Sequence, residues 1–378
     1  MPFFFPMSSP RPLLFNFFLF LPSFLMIFLP LYLALTPFFL MPAIAAQSGV
    51  IARPVVSAPL KADYGPDGGP DSCYSQAADS LEIKLYAALK KEFNLLKKTK
   101  YSKKYIFAAV ADIKDGRIIF TSSREFYCKN KISPGSIIKI FDYALIIKYI
   151  KNAEYDIFFC RDNLYSGARR YNCSQKGGHG ELSLDAAFYR SCNLYFKNYM
   201  QKITRRQFTA ALFKCGFINA AEEEKLLLAP QNEYLQSVIG DKNIKVTPEK
   251  LIELARFLAA GDSVSKPFPV SYSEVFNHAA REKINAAMRR VAFERTGTAA
   301  AALNGLDCAA KTGSASFSAR IENNKKIILT AAVFLGYAPY CEPKYAVITF
   351  CETGLGGDDG AFIAARLLSA AGISSKAD

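Results

Sequence analysis

Ser133-Pro134-Gly135-Ser136-Ile137-Ile138-Lys139-Ile140-Phe141-Asp142-Tyr143, running on into Ala144-Leu145-Ile146-Ile147, is the stretch that decides the fold. Pro134 and Gly135 break whatever precedes them. From Ser136 onward the chain has no breaker for about four turns and is apolar on nearly every side, which predicts a helix buried in a core. Lys139 lies in that run three residues after Ser136, so hydroxyl and amine share one helix face. Burial disfavours the ammonium and lowers its pKa towards a neutral, basic amine. A serine at a helix N-terminus beside such an amine is the chemistry of an acyl-transfer nucleophile. Ser-x-x-Lys recurs at Ser263-Val264-Ser265-Lys266, but Pro267 pushes Lys266 out of the α region. Only the copy at Ser136 can be helical.

Upstream, the chain divides by composition. From Pro12 to Ala52 no residue is charged, and the run is rich in Phe and Leu. About 20 apolar residues suffice to cross a bilayer. Ala43-Ile44-Ala45 has the look of a small-residue cleavage site, so a cleaved signal and a retained anchor both fit residues 1–46. Either implies export, to the extracytoplasmic face of the inner or plasma membrane in the cell envelope. Residues 47–79 carry Tyr64-Gly65-Pro66-Asp67-Gly68-Gly69-Pro70-Asp71, turn chemistry without periodicity, and read as a flexible linker. Residues 80–378 are left for one large domain. It opens on an amphipathic helix with Leu85, Leu89, Phe93 and Leu96 on its buried face. The dense lysines of this region, Lys90, Lys91, Lys97, Lys98, Lys100, Lys103 and Lys104, fit a solvated face or contact with acidic headgroups. The chain holds 47 Lys and Arg against 33 acidic residues, a formal charge of +14. That balance suits an anionic partner surface. No zinc-finger spacing, helix-turn-helix or RNA-binding aromatic motif is present, which argues against nucleic acid.

Downstream, Tyr105–Ala111 and Arg117–Thr121 flank Lys114-Asp115-Gly116 as a predicted hairpin. Thr247 as N-cap, Pro248 at the first position and Gly261 past the end frame one helix. Strand-like runs cover 306–315, 326–336 and 345–351, and a last helix lies near 361–370. The first late strand carries Lys311-Thr312-Gly313-Ser314. There Gly313 leaves room for a ligand backbone, Lys311 offers a cation for a carboxylate, and Thr312 and Ser314 offer further donors. Arg295-Thr296-Gly297-Thr298 is a near copy that runs into the helix-like Ala299–Leu303.

Ser136-x-x-Lys139, Ser191-Cys192-Asn193 and Lys311-Thr312-Gly313 occur in that order, 55 and 120 positions apart. This is the motif set of penicillin-binding proteins and serine β-lactamases. The chain resembles the transpeptidase domain of penicillin-binding proteins, above all the monofunctional class B type, from about Tyr105 to Leu368. Ala111-Asp112-Ile113-Lys114-Asp115-Gly116, His179-Gly180, Tyr195-Phe196, Val246-Thr247-Pro248 and Gly336-Tyr337-Ala338-Pro339 before Pro343-Lys344-Tyr345-Ala346-Val347 match in order. Ala310 stands where the family usually has Gly, and Ile137-Ile138 replaces the common Thr-Phe. The family's N-terminal pedestal domain and a glycosyltransferase domain are not expected.

The resemblance implies a mixed α+β fold: an antiparallel five-stranded sheet flanked by helices, plus an all-helical subdomain, with the site at their junction. Ser136 would be the nucleophile, Lys139 its general base and Ser191 the proton relay to the departing amine. Asn193 would hold the substrate amide, and Lys311 and Thr312 its carboxylate. Lys311 would also help to keep Lys139 neutral by like-charge repulsion. Gly313 would admit the substrate, and the backbone N–H groups of Ser136 and Ser314 would form the oxyanion hole. The implied activity is a D,D-transpeptidase on the D-Ala-D-Ala ends of peptidoglycan stem peptides, inhibited by β-lactams, with no metal or organic cofactor. The cell-wall synthesis machinery is the implied partner. Two alternatives share the motifs or the fold: a class D-like β-lactamase or β-lactam sensor, and a non-catalytic wall-binding protein.

Nine cysteines, all after the leader, cannot all pair. In an exported protein Cys160 and Cys173 are the expected disulfide, closing a short loop that leads to Ser191, worth about 3 kcal/mol. The alternative is a set of buried free thiols, and Cys192 is expected to pack rather than react.

Overall fold

The computed structural model describes residues 80–374, apart from 167, 168, 266, 269, 270, 323 and 324. The leader and linker expected over 1–46 and 47–79 lie outside the described residues. Helix α1 (Ser80–Leu96) buries Leu89, Phe93 and Leu96, as its spacing predicts. The hairpin at Lys114-Asp115-Gly116 forms between β1 (Ile106–Asp112) and β2 (Ile118–Thr121). Asp112 closes the turn: one carboxylate oxygen accepts from the backbone N–H groups of Lys114 and Asp115 at 2.7 and 3.1 Å. Buried Arg256 holds it from outside, donating to the carbonyls of Ile113 and Lys114 at 3.0 and 3.2 Å.

Helix α2 (Lys139–Tyr149) is buried almost all round through its first eight residues. Its start differs from the helix expected on sequence. Gly135–Ile138 form a single 3₁₀ turn, so Ser136 sits on a tighter turn and Lys139 opens the α-helix. Next come four short strands, β3 (Phe158–Cys160), β4 (Asn163–Ser166), β5 (Arg169–Asn172) and β6 (Gly180–Leu182). They pair as two ribbons, β3 with β6 and β4 with β5. Short helices α3 (Leu184–Tyr189) and α4 (Asn193–Met200) flank Ser191.

Three further helices, Arg205–Lys214, Ala220–Leu228 and Gln231–Val238, complete a helical region. Helix α5 (Pro248–Ala260) has the predicted Thr247 cap, whose side chain accepts from Lys250 N–H. It lays Leu251, Leu254, Ala255 and Leu258 into the core. A fully buried leucine there contributes roughly 1.5–3 kcal/mol relative to exposure. Helix α6 (His278–Phe293) packs on the sheet edge and on α2 and α3.

The last three strands, β7 (Ala309–Glu322), β8 (Lys325–Ala338) and β9 (Tyr345–Cys351), complete a five-stranded sheet in the order β2-β1-β9-β8-β7, with every pairing antiparallel. β7 starts three residues later than its apolar pattern predicts. The chain first turns at Asn304-Gly305, and Asp307 lies in the bend that follows, where it pairs with Arg289 at 2.6 Å. Helix α7 (Ala361–Ala370) packs with α1, while α5 lies against β8 and β9. Cover on both faces explains why β1 and β9 are near-continuous apolar runs rather than alternating ones. Among the described residues no helix is long and apolar enough to cross a membrane.

Candidate active site

The Ser136 turn is set against β7 by two glycines. Gly135 adopts φ +56°, and a Cβ on it would lie 2.8 Å from the backbone nitrogen of Ser314. A Cβ on Gly313 would lie 2.3 Å from the carbonyl oxygen of Pro134. Neither approach tolerates a side chain, because the obstacle in each case is backbone. Turn and strand therefore meet, with Ser136 half-buried and Ser314 exposed.

Lys139 is fully buried. Its Nζ donates to the Ser191 carbonyl at 2.8 Å, to Asn193 Oδ1 at 2.6 Å and to Ser191 Oγ at 3.2 Å. Lys311, also fully buried, reaches the same hydroxyl from the other side, with Nζ 3.0 Å from Ser191 Oγ and 3.1 Å from the carbonyl of Thr312. Burial lowers the pKa of Lys139 to about 7. Burial first, and then the Lys139 charge, drives Lys311 well below the usual lysine range. The expected repulsion thus falls on Lys311, while burial is the leading cause at Lys139. The two amines share one hydroxyl.

Ser191 sits at φ +55°, a left-handed conformation that a serine adopts only under constraint. Its constraints are the lysine contacts and the neighbouring Cys192. Cys192 is the N-cap of α4, its sulfur accepting from the N–H of Tyr195 at 3.5 Å. Thr312 is buried, and its hydroxyl lies 2.7 Å from that of Thr298. The near copy Arg295-Thr296-Gly297-Thr298 is therefore no idle repeat, since it supplies the partner of Thr312. Ser314 Oγ accepts from Gly356 N–H at 3.0 Å. All eight residues singled out in the three motifs line one junction between sheet and helices. Ser263 leaves the end of α5 instead, and Lys266 lies outside the described residues.

The sequence profile described as "Penicillin binding protein transpeptidase domain" matches residues 106–370. The chain belongs to that family. Among solved structures it is similar to PBP2 of Helicobacter pylori in complex with MreC, at 18% identity and a TM-score of 0.62. That match covers 75% of this chain and 62% of that one, so this chain spans about three-fifths of its length. Pseudomonas aeruginosa PBP2 in complex with WCK 5153 matches at 18% identity and TM-score 0.61, covering 76% and 74% of the two chains. The transpeptidase domain of Burkholderia pseudomallei penicillin-binding protein 3 matches at 15% and 0.63, covering 76% and 93%. No curated protein matches the chain.

Two features of this penicillin-binding transpeptidase domain escape the sequence. Asp142, one turn along α2 from Lys139, is fully buried, and neither carboxylate oxygen has a hydrogen-bond partner. Burial raises its pKa well above the carboxylate range, against the pull of Lys139. In sequence it is an ordinary polar position within an apolar run.

The second feature corrects the cysteine assignment. Cys160 and Cys173 are free, with their sulfurs 3.6 Å apart. A disulfide would bring them to about 2.05 Å. Cys160 is also 3.5 Å from the sulfur of Cys192, and both Cys160 and Cys173 face Nδ1 of His179, at 3.6 and 3.2 Å. The four ligand atoms lie within 4.8 Å of one another, a group that could hold a metal ion. Contact with Cys192, then with the imidazole, holds Cys160 and Cys173 low, to about 6 and about 3. Cys192 itself is pushed up, chiefly by Cys160. Cys192 is fully buried, which agrees with the expectation that it packs.

Proposed function

We propose that the chain is a peptidoglycan D,D-transpeptidase that works through an acyl-enzyme on Ser136 and is inhibited covalently there by penicillin. The observation that carries this reading is the double contact on Ser191 Oγ, 3.2 Å from Lys139 Nζ and 3.0 Å from Lys311 Nζ, with Lys139 lowered to about 7. Near neutral pH a large share of Lys139 is an unprotonated amine, the state a general base requires.

The substrate's terminal carboxylate binds at Lys311 and Thr312, and its charge raises the pKa of Lys311. The proton shared by the two amines moves to Lys311, and Lys139 is left neutral. Lys139 takes the Ser136 proton as Oγ attacks the penultimate D-alanine carbonyl, whose oxyanion is met by the backbone N–H groups of Ser136 and Ser314. The C–N bond to the terminal D-alanine breaks, and Ser191 relays the proton to the departing nitrogen. An acceptor amine then attacks the ester and frees Ser136. Asn193 holds the substrate's amide.

The uncharged run over 12–52 supports placement on the extracytoplasmic face of the membrane, anchored or exported. The H. pylori neighbour is bound to MreC, which supports recruitment of this chain by cell-wall synthesis machinery.

A class D-like β-lactamase would carry a carboxylated lysine at position 139. That anion needs hydrogen-bond donors, yet two of the three groups the Lys139 nitrogen contacts, the Ser191 carbonyl and Asn193 Oδ1, are acceptors. Glu181, the nearest glutamate in sequence to the second motif, lies on β6, exposed. The penicilloyl-enzyme should therefore persist, with hydrolysis slower than about once a minute, a barrier above ~20 kcal/mol.

The test is fluorescent penicillin followed by peptide mapping. Label on Ser136, absent in Ser136→Ala and present in Ser263→Ala, is expected. Label on another residue, or turnover of a chromogenic β-lactam above about one per second that bicarbonate accelerates, would remove the reading.

A further inference from the structure

Three thiols and an imidazole meet beside the catalytic motifs, and the proposed reaction uses none of them. Their spacing distinguishes two kinds of chemistry. A tetrahedral zinc ion with Zn–S near 2.3 Å and Zn–N near 2.05 Å holds its sulfurs about 3.8 Å apart and sulfur from nitrogen about 3.6 Å. The distances here are 3.5 and 3.6 Å between sulfurs and 3.2 and 3.6 Å from sulfur to Nδ1. Far too long for a disulfide, they fit four ligands around one ion.

Local structure supports the same conclusion. Cys160 ends β3 and pairs across the ribbon with Gly180, which sets His179 beside it. His179 N–H donates to the Cys160 carbonyl at 3.1 Å. A Cβ on Gly178 would lie 2.2 Å from that carbonyl, so the chain passes too close for any other residue. Backbone N–H groups point at two of the sulfurs, Gln175 to Cys173 at 3.4 Å and Tyr195 to Cys192 at 3.5 Å. Such outer contacts orient thiolate ligands and hold them ionised. Soft thiolates with one imidazole select zinc among the available divalent ions.

We propose that Cys160, Cys173, His179 and Cys192 form a Cys₃His zinc site that clamps the Ser191 turn, and that oxidation exchanges the ion for a Cys160–Cys173 disulfide. The clamp rests on sequence adjacency. Cys192 directly succeeds Ser191, and a metal–sulfur bond there fixes one end of a turn strained at φ +55°. The exchange rests on the all-sulfur arrangement. Cys173 is half-exposed while Cys160 and Cys192 are buried, so an oxidant meets Cys173 first. With a disulfide oxidant, Cys173 attacks and the oxidant's S–S bond breaks. Cys160 then displaces the mixed disulfide. Two electrons pass to the oxidant, its two sulfurs take up two protons from solvent, and the ion leaves with the loss of its bonds to Cys160, Cys173, Cys192 and His179. The effect on catalysis rests on the proposed transpeptidase reading; the metal site itself does not.

The experiment uses the full chain, purified reduced and without chelator. About one zinc per chain is expected by elemental analysis, and cobalt exchange should give intense thiolate-to-metal charge-transfer bands. Cys173→Ala and His179→Ala should lose the bands, His179→Cys should keep them, and Cys341→Ser, on an exposed residue, should be unchanged. Circular dichroism establishes that each variant is folded. No cobalt bands in the wild-type chain, or bands that survive in both alanine variants, would overturn the site. Oxidised glutathione should release the zinc in step with a mapped Cys160–Cys173 disulfide; zinc retained, or a different pairing, overturns the exchange. Stripping the metal should slow penicillin labelling about tenfold, some 1.4 kcal/mol of positioning, with recovery on adding zinc. An unchanged rate overturns the clamp. A chain that binds zinc but is never labelled at Ser136 would instead refute the transpeptidase reading.

Discussion

Two buried amines on one hydroxyl make a quantitative prediction about pH. Lys139 and Lys311 lie 3.2 and 3.0 Å from Ser191 Oγ, so their nitrogens are at most about 6 Å apart. At an effective dielectric near 20, two positive charges at that distance repel by about 3 kcal/mol, roughly two pKa units. Burial is the chief cause that takes Lys139 to about 7, and Lys311 lies well below its usual range. In the free protein the first proton therefore belongs to Lys139, and Lys311 is the weaker base of the pair.

The second-order rate of penicillin acylation reports the free enzyme. It should rise about tenfold per pH unit below a midpoint near 7 and level off above it. Lys311→Met removes the amine at similar volume. Its rate should fall by about 10–100-fold through loss of a charge-assisted contact worth roughly 1.5–3 kcal/mol, with the midpoint left near 7. Had Lys311 been charged in the resting protein, its removal would lift the midpoint by about two units. Stopped-flow labelling from about pH 5.5 to 9 separates the two. A midpoint that moves to about 9 in Lys311→Met, or a flat wild-type profile, refutes the reasoning.

The same geometry predicts other outcomes. Lys139→Met should abolish labelling yet raise stability at pH 7. A lysine whose folded pKa is lowered destabilises the fold as pH falls from about 10.5 to about 7, so thermal melts of the wild type should climb with pH over that window and those of the variant should not. Asp142→Asn should stabilise the fold at pH 8 by about 1–3 kcal/mol, measured by urea unfolding. Its raised folded pKa means wild-type stability falls as pH rises above about 3.8, and the variant should lose that slope. Gly313→Ala drives a Cβ into the Pro134 carbonyl and should cost about 1–3 kcal/mol together with most of the labelling. Thr298→Val deprives Thr312 of its hydroxyl partner and should slow labelling about tenfold while leaving the pH midpoint in place.

Much of this is legible in the chain. Three motifs in order carry the family resemblance, and the resemblance implies the sheet, the helical region and the eight site residues at their junction. The α5 caps are readable directly, since Thr247, Pro248 and Gly261 act within a turn of themselves. What cannot be read is what depends on packing between distant segments. The partnership of Thr298 with Thr312 joins a loop to a strand. The buried state of Asp142 depends on what covers α2. The four metal-type ligands span 33 residues across a strand, a loop and a helix cap. Pairing cysteines by sequence distance selects two of them, but His179 and Cys192 belong in sequence to the family's motifs and stand apart from that pair. The 3₁₀ turn at Ser136 is invisible because Ile137 and Ile138 are buried whether the turn is tight or α-helical.

Ser191 is where these separate pieces meet, and its backbone explains why they must. At φ +55° glycine would be the easy choice, but glycine has no hydroxyl to place between two amines. A serine there carries strain of order 1 kcal/mol or more, which something outside the turn has to offset. On one side Lys139 does so by taking both the carbonyl and the hydroxyl of Ser191. Lys311 holds the same hydroxyl from the other side at 3.0 Å, and a second hold acts along the chain through Cys192, whose sulfur is kept in place by the cluster and by Tyr195 N–H. Cys192→Ala leaves the Lys139 contacts available and removes only that second hold. If the strain is shared in this way, Cys192→Ala should lower the acylation rate on the plateau above pH 7, where Lys139 is largely neutral. A plateau left at the wild-type rate, with only the midpoint shifted, would mean that the sulfur acts through the charge of Lys139 and not through the backbone.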